Sequence, residues 1–211
     1  MANVMESVLS STIWTSCDIG IKNFAVCRMR LYQQDGVSKG DILNWELINL
    51  KKSNTQTNSE NIGELVEWWK ENKSWFMNCD RILIEGQAAS VSKIKSMFSA
   101  LLALVLSERD EGQRVTVCDA RKRYRILFSI FPPSQFCSVQ NFNPTNYHHR
   151  TKYCTEITDL FLREQEFGDQ KKAFFLYKKK DDLAVSFLQI IVQENIDAHS
   201  SEEKKKPRKF Q

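Results

Sequence analysis

Glycine and proline are scarce in this 211-residue chain, seven of one and four of the other, which excludes collagen-like and low-complexity architectures. No apolar run is long enough to cross a bilayer: the longest, residues 98–106, is about half the required length. The six cysteines (Cys17, Cys27, Cys79, Cys118, Cys137 and Cys154) form no C-x-x-C pair, so they read as reduced, mostly buried thiols. The first fifteen residues contain Glu6 but no Lys or Arg, and so lack the basic start of a secretory signal and the Arg-rich face of a mitochondrial presequence. The chain is expected to stay inside the cell, in a reducing compartment.

What is present suits one globular domain. Apolar residues make up 42% of the chain and charged residues 27%, enough of each to enclose a core and solvate a surface. The expected domain runs over residues 11–197, preceded by an extension at 1–10 and followed by a disordered basic tail at 198–211. The net charge of +4 is modest but unevenly spread. Basic residues cluster at Arg121, Lys122, Arg123 and Arg125, at Lys171 and Lys172, at Lys178, Lys179 and Lys180, and in the tail at Lys204–Lys206 with Arg208 and Lys209. Such clusters suit a polyanion, although a solvated surface produces the same pattern.

Alternating apolar and polar residues predict three strands, at residues 11–20, 23–32 and 42–50, joined by short turns that include Asp35-Gly36. Ile62, Leu65, Val66 and Trp69 then fall at helical spacing. Residues 81–85 (RILIE) form a short apolar run ending in a carboxylate, the pattern of a buried parallel strand. A long helix follows from Val91 to about Val105, then a strand at 114–119 and an aperiodic stretch at 131–148. Two helices close the order β-β-β-α-β-α-β-loop-α-α. Trp68, Trp69 and Trp75 belong with a core or an interface, whereas Phe136, Phe142 and Tyr147 are candidates to wedge into nucleic acid.

Asp18 ends the first strand, immediately before Ile19-Gly20, and Glu85 ends the fourth, immediately before Gly86. If those strands are neighbours, both carboxylates emerge at one sheet edge. Asp181 and Asp182 open the last helix, where the helix dipole alone also favours acids. Carboxylates gathered without cations repel, an arrangement relieved by a hard divalent ion such as Mg²⁺ or Mn²⁺. Two such ions can activate water and stabilise the leaving oxygen of a phosphodiester, which makes a nuclease the sharpest hypothesis.

Four segments, CDIGIKN at 17–23, ILIEGQ at 82–87, HRTKY at 149–153 and KDDLA at 180–184, resemble the ordered motifs of RuvC-type Holliday-junction resolvases, in particular the poxvirus enzymes and their relatives in other large DNA viruses and in yeast mitochondria. The resemblance spans roughly residues 11–195. It implies an RNase H-like α/β fold, a mixed five-stranded sheet with three antiparallel strands then two parallel, flanked by helices. It also implies a homodimer that places paired symmetric nicks across a four-way DNA junction, with two Mg²⁺ or Mn²⁺ ions per site. If the origin is viral, the setting is host cytoplasm at replication sites or the virion. Asp18, Glu85 and Asp182 match the metal-binding carboxylates, and Lys152 matches a basic residue near the scissile phosphate. No small-molecule cofactor is expected.

One departure concerns chemistry. The resemblance calls for a second Asp three residues after Asp182, where this chain has Val185. Asp181 lies about 100° around the helix from Asp182 and substitutes poorly. Gly86 also stands where a bulkier residue is usual. DNA contacts are expected to phosphates from Lys93, Lys95, Arg121, Lys122, Arg123, Arg150, Lys178, Lys179 and Lys180. Two other readings stay open. One is a branched-DNA-binding protein that no longer cuts, kept alive by Val185. The other is an actin-like ATPase, which shares the D-x-G strand end but needs a duplicated core.

Overall fold

Successive side chains on a strand point to opposite faces, so the first three segments can each bury one face while paired edge to edge. In the computed structural model, which describes residues 11–34, 37–86, 92–164, 167 and 171–205, they form an antiparallel meander of β1 (Ser11–Asp18), β2 (Phe24–Gln34) and β3 (Val37–Ile48). β4 (Arg81–Glu85) and β5 (Arg114–Cys118) join parallel to β1, giving the order β3-β2-β1-β4-β5. This is the expected mixed sheet. The segment before Ser11, the Asp35-Gly36 turn, Gln87, Val91 and residues 206–211 lie outside the described residues.

Helices cover both faces. α1 (Asn58–Asn72) opens with a capping box in which Thr57 accepts from the Glu60 backbone and Glu60 accepts from the Thr57 backbone. With α2 (Ser74–Met77) and α3 (Ser92–Glu108), it encloses Phe24, Val26, Leu65, Trp69, Ile82, Ile84 and Leu101 on one side of the sheet. Trp69 is buried, and Trp68 packs edge-on against Phe24 and Trp75, so these tryptophans belong to the core and its rim. On the other face, α4 (Ala120–Ile130), α6 (Tyr147–Glu164) and α8 (Asp181–Lys205) pack over Trp14, Ala25, Cys27, Trp45 and Leu83. Short α5 (Pro133–Phe136) and α7 (Lys171–Leu176) complete the chain.

Two departures from expectation have physical causes. α4 follows β5 directly, capped by Asp119, whose side chain accepts from Arg121 N at 2.8 Å. Four cationic side chains hide its apolar spacing in the sequence, although Tyr124, Leu127 and Phe128 do sit on a core-facing stripe. At the other end, α8 continues past residue 197 to Lys205, because Glu and Lys are good helix formers once a helix is started. No described helix is long and apolar enough to cross a membrane.

Candidate metal and nucleic-acid site

Register places the first two acids. Cys17 of β1 pairs with Ile84 of β4, so the next residues, Asp18 and Glu85, end neighbouring parallel strands at one edge of the sheet. The period of two puts Asp18 on the same face as Ser16, and Glu85 on the same face as Leu83, toward α8. The chain then turns sharply at Gly20, where a Cβ would stand 2.6 Å from the Asn23 carbonyl oxygen. Gly86 is also confined: its N–H donates to the Cys118 carbonyl at 2.8 Å, and a Cβ would meet Val117 and Cys118 at 3.1 and 3.2 Å.

α8 supplies the third acid from its first turn. Trp45 of β3 fixes that turn by donating its indole N–H to the Leu183 carbonyl at 3.1 Å, and its ring stacks on Phe174 with centroids 4.9 Å apart. This anchor was not legible in the sequence. Burial, with the like charges of Glu85 and Asp182, pushes the Asp18 carboxyl well above the usual carboxylate range. Asp182 is raised as well, by burial first and by Asp181 and Glu85, against the lowering effect of Lys179. The three acids therefore lie within electrostatic reach of one another.

Each acid is treated differently by its neighbours. Arg123 from α4 pairs with Glu85: Nη2 donates to Oε1 at 3.4 Å, and Nη1 lies 3.1 Å from Oε2 as a charge contact without a hydrogen bond. Gln189 of α8 donates its Nε2 to Glu85 Oε2 at 3.2 Å and accepts from Ser16 Oγ at 3.1 Å. Lys179 donates to Asp182 at 2.5 Å, and with the Asn23 amide oriented to satisfy both groups it also donates there at 2.8 Å. Asp181 shares Lys179 at 3.6 Å and also accepts from the Tyr147 hydroxyl at 3.0 Å. Val185 is 7% exposed and offers no oxygen.

Three carboxylates are the donor chemistry of a hard divalent cation, and the Asp18 carboxyl is raised first by burial and then by the like charges of Glu85 and Asp182, against the lowering effect of Arg123. Among the described residues, however, no group of three acidic, histidine or cysteine side chains stands ready to hold an ion. Glu85 and Asp182 are directed instead at Arg123, Gln189 and Lys179.

Beside the acids runs an open groove of about 540 Å³ lined by Tyr147, His148, Thr151, Lys152, Lys178, Lys179, Lys180 and Asp181. Lys152 is 55% exposed on α6, with Glu156 at 4.0 Å. Lys178 is exposed, and Lys180 lies over the rings of Phe174 and Phe175. Arg121 and Lys122 are exposed at the start of α4, as are Lys93 and Lys95 at the start of α3.

Several side chains expected to contact DNA have partners within the chain. Arg123 is 4% exposed and paired with Glu85, so it is not the surface charge expected. Its position four residues before Leu127, on the buried stripe of α4, was the available signal. Arg150 donates Nη1 to the carbonyls of Pro144 and Thr145 and so fastens the preceding loop. Phe136 packs on Phe131, and Phe142 on Phe128 and Tyr153, which removes both as wedges; Tyr147 remains exposed. His149 accepts at Nδ1 from the Asn143 N–H at 2.9 Å.

No protein-family model and no curated protein matches the sequence. Solved structures do match the fold. Fowlpox virus resolvase in complex with substrate Holliday junction DNA aligns at a TM-score of 0.56 with 18% identity, over 87% of this chain and 98% of that one. Thermus thermophilus RuvC aligns at 0.54 with 13% identity, over 88% and 96%. The yeast mitochondrial Holliday junction resolvase aligns at 0.53 with 20% identity, over 83% and 75%. The chain shares its fold with these three resolvase structures.

Proposed function

We propose that the protein is a metal-dependent, structure-selective endonuclease that resolves four-way DNA junctions by paired symmetric nicks. Supporting this reading are the strand register that ends β1 and β4 side by side at Asp18 and Glu85, the influence of Asp182 at the start of α8 on the Asp18 carboxyl, and the lysine-lined groove that Asp181 shares. The fold shared with a resolvase complexed to its junction supports it. Asp18, Glu85 and Asp182 hold Mg²⁺ or Mn²⁺, which when bound supplies Lewis acidity to the phosphodiester and the attacking water. Lys152 contributes fixed positive charge where negative charge develops on the phosphate. Lys178, Lys179 and Lys180, with Arg121 and Lys122 and with Lys93 and Lys95, engage backbone phosphates, so that shape and flexibility are read in preference to base sequence. A two-fold homodimer presents two such sites to the two matching strands of a junction.

A second reading is favoured by one residue. Val185, 7% exposed, lies three residues after Asp182 and four before Gln189, which bonds Glu85, so helical spacing puts it on their stripe of α8, where the resemblance calls for a further carboxylate. In that reading the protein binds branched DNA without cutting it. A labelled four-way junction incubated with Mg²⁺ or Mn²⁺ separates the two: the nuclease gives symmetric nicks, weak in the native sequence and stronger after Val185→Asp. Tight junction binding with no nicks from either version leaves only the binding protein. Equal affinity for junction and linear duplex sinks both.

A further inference from the structure

We propose that Phe175 and Leu176, at the end of α7, form a contact for bases that a DNA branch leaves unstacked. This rests on the reading of the protein as one that engages branched DNA, and it names the part of that DNA which this surface takes.

The segment sorts its own side chains. Phe174 is buried, its ring stacked on Trp45 of β3 with centroids 4.9 Å apart, and Tyr177 packs half-buried against the same core. Those two contacts anchor α7. Phe175 and Leu176 stay outside, 42% and 83% exposed. A lone exposed apolar residue means little, but these two adjoin each other and lead directly into the groove lysines. The opposite part of the groove carries another exposed aromatic, Tyr147, whose hydroxyl donates to Asp181 at 3.0 Å. Phe175 is also supported: its ring meets Phe174 edge-on, with centroids 5.7 Å apart.

Charge identifies the occupant. Lys180 Nζ lies 5.2 Å from the ring centroid of Phe174 and 5.4 Å from that of Phe175, and Lys178 is exposed. Both lysines line the groove together with Lys152. An apolar platform set among cations suits a partner that joins a flat apolar face to a negative charge, which is the chemistry of a nucleotide. In continuous duplex each base face is covered by its neighbours, and only phosphates are within reach. At a branch the stack is interrupted and base faces open. The lysines therefore favour any DNA, whereas the aromatic contact adds affinity only where bases are uncovered. A second copy of the chain fits less well. Across a two-fold axis the patch would face itself, setting Lys178 and Lys180 against their own copies.

The test measures binding of the full chain, in chelator so that nothing is cut, to a four-way junction, a linear duplex and single-stranded oligothymidine. Phe175→Ala is expected to weaken binding to the junction and to oligothymidine about tenfold. Duplex affinity and the slope of log K against log salt should stay unchanged, and Phe175→Tyr should keep the native affinities. Leu176→Ala, at a position with little packing to lose, is expected to act in the same direction, and it decides the matter if Phe175→Ala loses its native circular dichroism. Unchanged junction binding in both variants, or an equal loss on junction and duplex, overturns the base contact. A native preference for junction over duplex in the same experiment keeps the branched-DNA reading intact. Conversion of the DNA-free protein from dimer to monomer by either variant, seen in sedimentation, assigns the patch to a second copy and also overturns the proposal. No native preference for the junction overturns both.

Discussion

Arg123 grips both carboxylate oxygens of Glu85, at 3.1 and 3.4 Å, in a part of the protein where their side chains are only 4% and 12% exposed. An ion pair so placed ties α4 to the end of β4 and fixes one candidate metal ligand before any metal arrives. Removing one partner leaves the other largely buried without its counter-charge, Glu85 keeping only the Gln189 amide.

The first expectation follows from that. Arg123→Gln should lower unfolding free energy by about 3–5 kcal/mol, because it leaves a buried carboxylate unpaired. Adding Glu85→Gln should recover much of the loss, as two neutral amides can bond each other. Urea unfolding of both single variants and the double variant measures the coupling. Additive losses would mean that the pair is not a unit.

The metal-free site should also oppose folding as Asp18 ionises. Folded Asp18 keeps its proton to higher pH than unfolded Asp18, owing to burial and to Glu85 and Asp182. Its contribution is therefore fully present below the ordinary carboxylate value and is lost as pH rises through the raised folded one. Asp18→Asn in chelator should be more stable than the native protein at neutral pH by about 1 kcal/mol, a Tm rise of roughly 2–4 °C. Below the ordinary carboxylate value the two should converge, and scanning calorimetry across that window checks both limits.

Lys152 offers a cleaner test of chemistry, since it is 55% exposed and its Glu156 contact is 4.0 Å long. Lys152→Ala should leave stability within about 0.5 kcal/mol. Junction nicking should fall about 10²–10³-fold if this charge faces the transition state, with junction affinity changed far less. An equal loss in affinity and rate would make Lys152 a phosphate anchor only.

For the groove, salt dependence is the readout. Lys178 is exposed among the groove lysines, so Lys178→Ala should weaken junction binding regardless of sequence and reduce the slope of log K against log salt by roughly 0.9. An unchanged slope would place DNA on another face.

Much was written into local sequence. Strand periodicity, the RILIE run and the acid-before-glycine endings gave the meander, the parallel strands and the positions of Asp18, Glu85 and Asp182 along the chain, because alternation and turn chemistry act over a few residues. Tertiary structure decided the rest. Only the β1–β4 register sets Asp18 beside Glu85, and only the docking of α4 turns Arg123 from an apparent surface charge into the buried partner of Glu85. Likewise the Trp45 anchor on α8 and the Gln189 bridge between Ser16 and Glu85 join residues more than a hundred positions apart. A charged side chain carries no local mark of whether water or a carboxylate will meet it; that depends on which helix face the completed core covers.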